Sequence, residues 1–388
     1  MSNQRISIRR LFIVFLQMGA TCFGGPVAHL ALFRRRFVDE DRWITQEEFA
    51  EWLALCQSLP GPSSSQMGIR IGRRMAGLPG ALAAWLGFTL PGAFALSMLG
   101  MFLPHLAGWE RAAHGLKVFT ASVVAHAVWS MAGSLCPDLP RRGIGVAGAF
   151  ACWFVPGSTG QILAIVLGGI LGRWLPSKAR PGSSAAVASS IAEGWTFLGL
   201  FVGMFALLEA MAWGGVGPAW RLADGLFRSG ALVFGGGHVV LPLLRENVSI
   251  PLGIPDATFL WGYGLAQAMP GPLFNVAAFL GAVSGVAGGP LLAVFCIFLP
   301  GAFLLLGVLP FWERLRKRAW FAAALPGVNA AVVGVLGATL VGPVREAGIR
   351  SVADLAMAMA GFAVLVRTRI PVWILAVGMS AIGGLLLP

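Results

Sequence analysis

Charge is scarce in this 388-residue chain: Asp, Glu, Lys and Arg make up 11% of it, against roughly 25% in ordinary soluble domains. That deficit excludes a soluble protein carrying a single anchor, because many apolar runs approach the ~20 residues needed to cross a hydrocarbon core of about 30 Å. Cysteine is sparse and solitary. Cys22, Cys56, Cys136, Cys152 and Cys296 lie singly in or beside apolar segments, without metal-ligand or redox spacing, and read as small buried hydrophobes. The five histidines are scattered and make no His/carboxylate pair on one helix face, so neither a metal nor any other cofactor is expected. There is no Walker-type glycine loop and no sizeable soluble region, so this chain is not expected to hydrolyse ATP. A clustered acid/base constellation is also missing, which leaves a membrane-embedded enzyme without a motif. Leu11 onward continues into a full span with no small-residue cleavage site, and no cleavable signal peptide is expected.

What is present is apolar: 57% of residues are hydrophobic and the mean hydropathy is +0.79. The fold class expected is an all-α polytopic membrane protein, with the lipid bilayer as its surroundings. Apolar runs give about thirteen membrane segments, near 11–33, 49–69, 79–102, 116–136, 143–155, 161–173, 195–213, 224–243, 258–280, 290–310, 325–343, 352–366 and 371–387. The pair at 143–155 and 161–173 is short enough for one tilted hairpin or two partial crossings. Ser177 to Ser190, with Lys178, Arg180, Pro181 and Gly182, reads as a hydrophilic linker. The net charge of +12 is concentrated in loops, where it reports topology through the positive-inside rule and gives no reason to expect nucleic acid as a partner.

Two polar, proline-broken stretches interrupt this apolar background. Leu55-Cys56-Gln57-Ser58-Leu59-Pro60-Gly61-Pro62-Ser63-Ser64-Ser65-Gln66 returns, 210 residues later, as Leu265-Ala266-Gln267-Ala268-Met269-Pro270-Gly271-Pro272-Leu273-Phe274-Asn275. Phe23-Gly24-Gly25 matches Phe234-Gly235-Gly236 at an offset of 211, and Leu90-Pro91-Gly92 matches Leu299-Pro300-Gly301 at 209. Weaker matches join Trp109-Glu110-Arg111 to Trp312-Glu313-Arg314 and Gly115-Leu116-Lys117 to Gly327-Val328-Asn329. Matches in one order at nearly one offset indicate an internal duplication. The expected organisation is a first repeat over 1–176, a linker and connecting membrane helix over 177–223, and a second repeat over 224–388.

Loop charge orients the halves. Arg70, Arg73 and Arg74 follow the first Pro-Gly-Pro segment, whereas the matching loop near Gly281 to Gly289 is uncharged. After the Leu-Pro-Gly span the bias reverses, with Arg111 and Lys117 in the first half against Arg314, Arg316, Lys317 and Arg318 in the second. Equivalent loops thus fall on opposite sides, and the repeats are expected to be inverted in topology, with proline-broken or re-entrant helices. Arg34, Arg35 and Arg36 do not fit thirteen full crossings with the N-terminus inside: either the cluster is an exception to the rule or an early segment is re-entrant.

Proline removes a backbone donor and disfavours helix at the residue before it, so a helix entering Leu59-Pro60-Gly61-Pro62 must break. In lipid such a break is tolerated only where protein or water covers it. A helix restarting after Pro62 presents free amides and the positive end of its dipole, which favour an anion. Ser63, Ser64 and Ser65 add hydroxyl donors; in the second copy Asn275 alone does so. Candidate substrate ligands are therefore Gln57, Pro60, Gly61, Pro62, Ser63, Ser64 and Ser65 with Gln267, Pro270, Gly271, Pro272 and Asn275. Gly24, Gly25, Gly235 and Gly236 join them with a competing role in close helix packing. Arg70, Arg73 and Lys117 are candidates for anion attraction or gating, although topology and snorkelling explain them as well. His29 and His238 lie near the Phe-Gly-Gly motifs at unequal offsets and read as packing residues. Glu51, Glu193 and Glu209 are the acids closest to spans, and none marks a proton relay.

At Phe23-Gly24-Gly25-Pro26, Phe234-Gly235-Gly236-Gly237 and the two Pro-Gly-Pro stretches, the chain resembles the chromate ion transporter family in its long, two-domain form. The resemblance implies a multi-pass protein of the bacterial inner membrane that exports chromate on the electrochemical gradient, and so confers chromate resistance; a homodimer is compatible with it. Chromate is a tetrahedral dianion suited to converging amide and hydroxyl donors, and the Cys56 sulfur is expected to face away from so oxidising an ion. A carrier of sulfate or another oxyanion is the rival reading, with an anion channel and a membrane enzyme further behind. If the halves are inverted, single cysteines introduced near Arg73 and near Gly285 will be labelled from opposite sides of the membrane; labelling from one side rules inversion out.

Overall fold

The computed structural model describes residues 6–102, 109–155, 157–175, 190–214, 217–234, 237–368 and 370–386, and among them no strand occurs. In chain order the α-helices are α1 (Ile8–Thr21), α2 (Gly25–Arg34), α3 (Gln46–Ser58), α4 (Ser63–Phe102), α5 (Trp109–Leu135), α6 (Leu139–Phe154), α7 (Ser158–Leu171) and α8 (Ile191–Trp213). There follow α9 (Pro218–Leu232), α10 (Val240–Leu244), α11 (Asp256–Ala268), α12 (Val276–Val283), α13 (Gly289–Val308), α14 (Trp312–Arg316), α15 (Ala319–Thr339), α16 (Arg345–Gly348), α17 (Val352–Arg367) and α18 (Val372–Leu386). Five helical stretches among the described residues are long and apolar enough to cross a membrane: Ser63–Phe102, Ala113–Leu135, Ile191–Met211, Gly289–Leu315 and Ala323–Gly348. The chain is a polytopic helical membrane protein.

Several expected spans prove to be broken. The run at 11–33 is two helices, of 14 and 10 residues, each shorter than the ~20 residues a crossing requires. Gly24 and Gly25, at φ 101° and 73°, make the turn between them, in the left-handed region that a β-carbon disfavours. The run at 49–69 is divided at Pro60-Gly61-Pro62 as proline chemistry demands: Leu59 is extended (φ −104°, ψ 150°) and α4 begins at Ser63. A capping box fixes the start of α3, Thr45 Oγ1 accepting from Glu48 N–H and Glu48 Oε2 from Thr45 N–H. α4 is two helices joined at Ala76 and Gly77, which leave helical geometry; the second covers the expected span at 79–102, and Gly72 of the first packs directly on Gly80 of the second. Residues 177–189 of the expected hydrophilic linker, and Gly235 and Gly236, lie outside the described residues.

The described chain divides into two compact units, neither of which is a sequence half. Unit 1 comprises 1–98, 181–237 and 269–313; unit 2 comprises 99–180, 238–268 and 314–388. Unit 1 therefore contains both Pro-Gly-Pro segments. Its core includes an aromatic cluster in which Phe15, Phe33, Phe37 and Phe88 pack with ring centroids 5.1 to 5.8 Å apart. Unit 2 is built around α5 and α15, with Leu116, Phe119, Val123, Ala358 and Met379 in one buried cluster.

Close glycine approaches recur at the repeat offset. A β-carbon on Gly19 of α1 would lie 2.5 Å from the Phe88 carbonyl of α4, and Gly230 of α9 meets the Ile297 carbonyl of α13 in the same way. Gly72 faces Gly80 as Gly281 faces Gly289. Without side chains at these points the helices touch backbone to backbone, the packing that substitutes for hydrophobic driving force in lipid.

The two breaks are closed by a reciprocal pair of hydrogen bonds inside unit 1. Gly61 N–H donates to Val233 O (2.8 Å) and Gly271 N–H to Cys22 O (3.0 Å). In Pro-Gly-Pro the glycine carries the only N–H, and Cys22 and Val233 are the residues that end α1 and α9, where carbonyls lack intrahelical partners. Each bond therefore satisfies two groups that lipid would leave bare. Gly61 (φ 121°) and Gly271 (φ 93°) are left-handed, and a β-carbon on Gly61 would stand 2.9 Å from both Gln66 Nε2 and Gly301 Cα. Gly61→Ala is expected to lose ~2–4 kcal/mol through clash and strain together, whereas Gly25→Ala, which meets nothing within 4 Å, loses only ~1–2 kcal/mol of backbone strain. Melting temperatures in detergent measure the difference; equal values for the two variants would contradict this packing.

Candidate anion site at the start of α4

The first intrahelical bond of α4 runs from Gln66 N–H to Pro62 O (2.9 Å), so the amides of Ser63, Ser64 and Ser65 precede the helical ladder. Ser64, Ser65 and Gln66 are nonetheless only 3%, 2% and 1% exposed. Ser63 Oγ donates to Cys56 O at 3.4 Å, and Ser64 Oγ lies 3.4 Å from His29 Nδ1. Gln66 Nε2 bridges Pro60 O (2.9 Å) and Gly301 O (3.1 Å), locking the turn to α13. Ser65 Oγ, Gln66 Oε1 and His29 Nε2 are buried without a hydrogen-bond partner. A buried orphan of this kind costs ~1–3 kcal/mol, and two of them, on Ser65 and Gln66, lie in the first turn of α4.

Arg70, two turns further along α4, supplies formal charge. It is 2% exposed, its Nε is buried without a partner, and its guanidinium lies 4.0 Å from the centre of the Trp52 ring on α3. Cation–π attraction at a desolvated site contributes ~2 kcal/mol, less than the several kcal/mol that removing a cation from water costs. Its neighbours are occupied otherwise: Arg73 pairs with Glu193 at 2.6 Å, and Arg74 approaches Glu48 at 3.8 Å. Arg70 alone of the three keeps its charge uncompensated by a carboxylate at salt-bridge distance. Cys56, fully buried, lies within electrostatic reach of Arg70, and its carbonyl holds Ser63, so both features border one stretch of α3.

The second break is built differently. A single 3-10 turn, Leu273–Asn275, precedes α12, and Asn275 Nδ2 donates to Thr89 O of α4 at 3.1 Å, leaving Asn275 Oδ1 buried without a partner. Leu273 and Phe274 occupy the places of serines. Gly92 packs against this turn so closely that a β-carbon on it would lie 2.5 Å from Asn275 Nδ2 and from Pro270 O. The Leu-Pro-Gly motifs thus serve as the opposite walls of the two breaks, Gly301 against Gly61 and Gly92 against Pro270.

Most sequence candidates gather in unit 1: Gly24, Gly25, Pro60, Gly61, Pro62, Ser63, Ser64, Ser65, Arg70, Arg73, Pro270, Gly271, Pro272 and Asn275. Gln57 is in the same unit but exposed near the end of α3. Gln267 and Lys117 belong to unit 2. Gln267 Nε2 lies 3.1 Å from His238 Nδ1, and Lys117 is buried on α5 within electrostatic reach of Arg350 and Asp354. Sequence reading did not single out Gln66 or Thr89, and took His29 as a packing residue; the signal was a polar side chain within an apolar stretch. An apolar hollow of about 460 Å³ between Trp85, Phe197, Phe295, Phe298 and Leu306 offers an oxyanion nothing to bond.

Known proteins match most of the chain. The family model described as chromate transporter matches residues 9–173 and again 220–385. A chromate transport protein of Pseudomonas aeruginosa is 31% identical over 349 residues, covering 87% of this chain and 81% of the relative. A chromate transport protein of Cupriavidus metallidurans is 27% identical over 374 residues, 91% of this chain and 86% of the relative. An uncharacterised transporter of Methanocaldococcus jannaschii is 25% identical over 351 residues, 86% and 84% respectively. No solved structure matches. With both halves matched by one family model, this chain belongs to the chromate transporter family.

Proposed function

We propose that the protein is a secondary transporter that moves chromate out of the cytoplasm across a bacterial inner membrane, thereby conferring chromate resistance, and that its oxyanion site is the N-terminal turn of α4. The observation that carries the site is the conjunction of the free amides of Ser63 to Ser65, the buried and unpartnered Ser65 hydroxyl, and the buried Arg70, which has no carboxylate at salt-bridge distance. A helix N-terminus carries about half a positive charge. Added to one guanidinium, it favours a dianion over a neutral ligand of the same shape. Gln66 Oε1 and His29 Nε2 lie beside these donors and suit a bound water or a protonated oxyanion oxygen. Pro60, Gly61 and Pro62 shape the turn; Pro270, Gly271, Pro272 and Asn275 form the facing break within unit 1.

The repeats over 1–176 and 224–388 are read as inverted. Supporting this are the reversed loop charges, the recurring glycine contacts and the crossed Gly61–Val233 and Gly271–Cys22 bonds, which are the exchange a pseudo-two-fold axis produces. The division of the first apolar run into α1 and α2 favours a re-entrant early segment, which removes the conflict at Arg34 to Arg36. Two of those arginines are in any case ion-paired, with Glu40 and Asp41. The names of the Pseudomonas and Cupriavidus relatives support chromate as the ion; sulfate shares its geometry and charge and is the competitor to test.

Reconstituted protein will take up labelled chromate, with sulfate a weaker competitor. Arg70→Gln and Ser65→Ala will each lower kcat/KM, by ~10–100-fold for the arginine and ~10-fold for the serine, as loss of a charged or neutral donor to a bound ion implies. Both variants will still insert into the membrane. Unchanged flux in both sinks the site.

A further inference from the structure

Unit 2 holds a second polar cluster, which the anion site does not use. His238 follows the Phe-Gly-Gly break in a short 3-10 turn (Gly237–Val239). Its Nδ1 lies 3.0 Å from Tyr263 Oη and 3.1 Å from Gln267 Nε2, both on α11. Tyr263 is the single tyrosine of the chain and is fully buried, and its hydroxyl also bonds Gln267. His238 and His126 of α5 are half-buried, and His126 is within electrostatic reach of His238.

We propose that His238, held by Tyr263 and Gln267, is the proton-binding site that couples oxyanion movement to the proton gradient. This rests on the transport reading above. In the neutral ring with hydrogen on Nε2, Nδ1 offers one lone pair, and the Tyr263 hydroxyl and the Gln267 amide both approach it as donors. One lone pair takes one of them. When Nδ1 gains a proton it becomes a donor, and both neighbours reverse: the Tyr263 oxygen accepts, and Gln267 turned about its amide presents Oε1. The only bond made is N–H and the only bond broken on release is the same one. Each protonation state therefore finds hydrogen-bond partners without rearrangement of the backbone.

The charge surroundings allow the proton to leave again. A carboxylate at hydrogen-bond distance would trap the imidazolium, and among the described residues none acts on His238. Among the described residues, the titratable groups acting on it or bonded to it are His126 from α5 and Tyr263 from α11. α15, which packs on α10, carries no titratable side chain. On the π turn after α10, Arg245 is held by Asp256 at 2.8 Å and Glu246 at 3.0 Å.

The test uses full-length protein in liposomes with the membrane potential clamped. A gradient of one pH unit will drive chromate accumulation to about tenfold per coupled proton, and chromate addition will move protons registered by an entrapped pH dye. His238→Gln will keep chromate–chromate exchange but lose gradient-driven accumulation. Tyr263→Phe will shift the pH profile of transport without abolishing exchange. Wild-type exchange that ignores the pH gradient overturns the proposal, as does undiminished accumulation by His238→Gln. If that variant fails to fold, an unchanged pH profile in Tyr263→Phe overturns it instead. Absence of any wild-type exchange overturns the transport reading, and this proposal with it.

Discussion

Everything in unit 1 depends on how a backbone without its full set of donors is kept satisfied in an apolar surrounding. Each Pro-Gly-Pro segment removes two N–H groups and interrupts a helical ladder, a cost of several kcal/mol per bare group in lipid. The single remaining amide of each segment is matched to the end carbonyl of another broken helix, Gly61 to Val233 and Gly271 to Cys22. Such bonds hold only if the backbones come very close. That explains the glycines at 61, 92, 271 and 301, where a β-carbon would intrude on the opposing wall.

Once the break is fixed, the polar chemistry at α4 follows. A helix forced to restart inside the unit cannot solvate its first amides in bulk water, and the residues lining its start are therefore serines and a glutamine. Burial raises the stakes for each of them. Gln66 bonds the turn and the wall of α13 at once, whereas Ser65 and Arg70 keep capacity unspent. In a unit with low dielectric, a buried guanidinium two turns from a helix N-terminus, without a carboxylate at salt-bridge distance, acts over a longer range than it would at a surface. The proposed anion site is thus a consequence of the fold's own repair, and the asymmetry of the two breaks assigns the work chiefly to the first.

Sequence pattern made the membrane class, the duplication and the position of both breaks legible, because proline and glycine chemistry is local and the offsets near 210 are independent of folding. It could not show that the compact units cut across the repeats. Gln57 and Gln267 occupy equivalent positions in sequence, yet one is exposed in unit 1 and the other is bonded to His238 in unit 2. Arg70 and Arg73 read alike in sequence, and only the burial of Arg70 against Trp52 and the ion pair of Arg73 with Glu193 tell them apart. On offset alone His238 reads as a packing residue; its hydrogen-bond partners lie 25 and 29 residues further along the chain, on α11. The turn at Gly24-Gly25 inside the apolar run at 11–33 is hidden from hydropathy, which averages over a short break that backbone geometry resolves.

The central claim is that an oxyanion binds at the start of α4. A structure of the protein soaked with chromate or its heavier analogue tungstate, located by anomalous scattering, tests it most directly. The account predicts a peak within hydrogen-bond distance of the Ser64 and Ser65 amides and on the Arg70 side of the turn. A well-occupied peak elsewhere in the chain, with none at that turn, would contradict it.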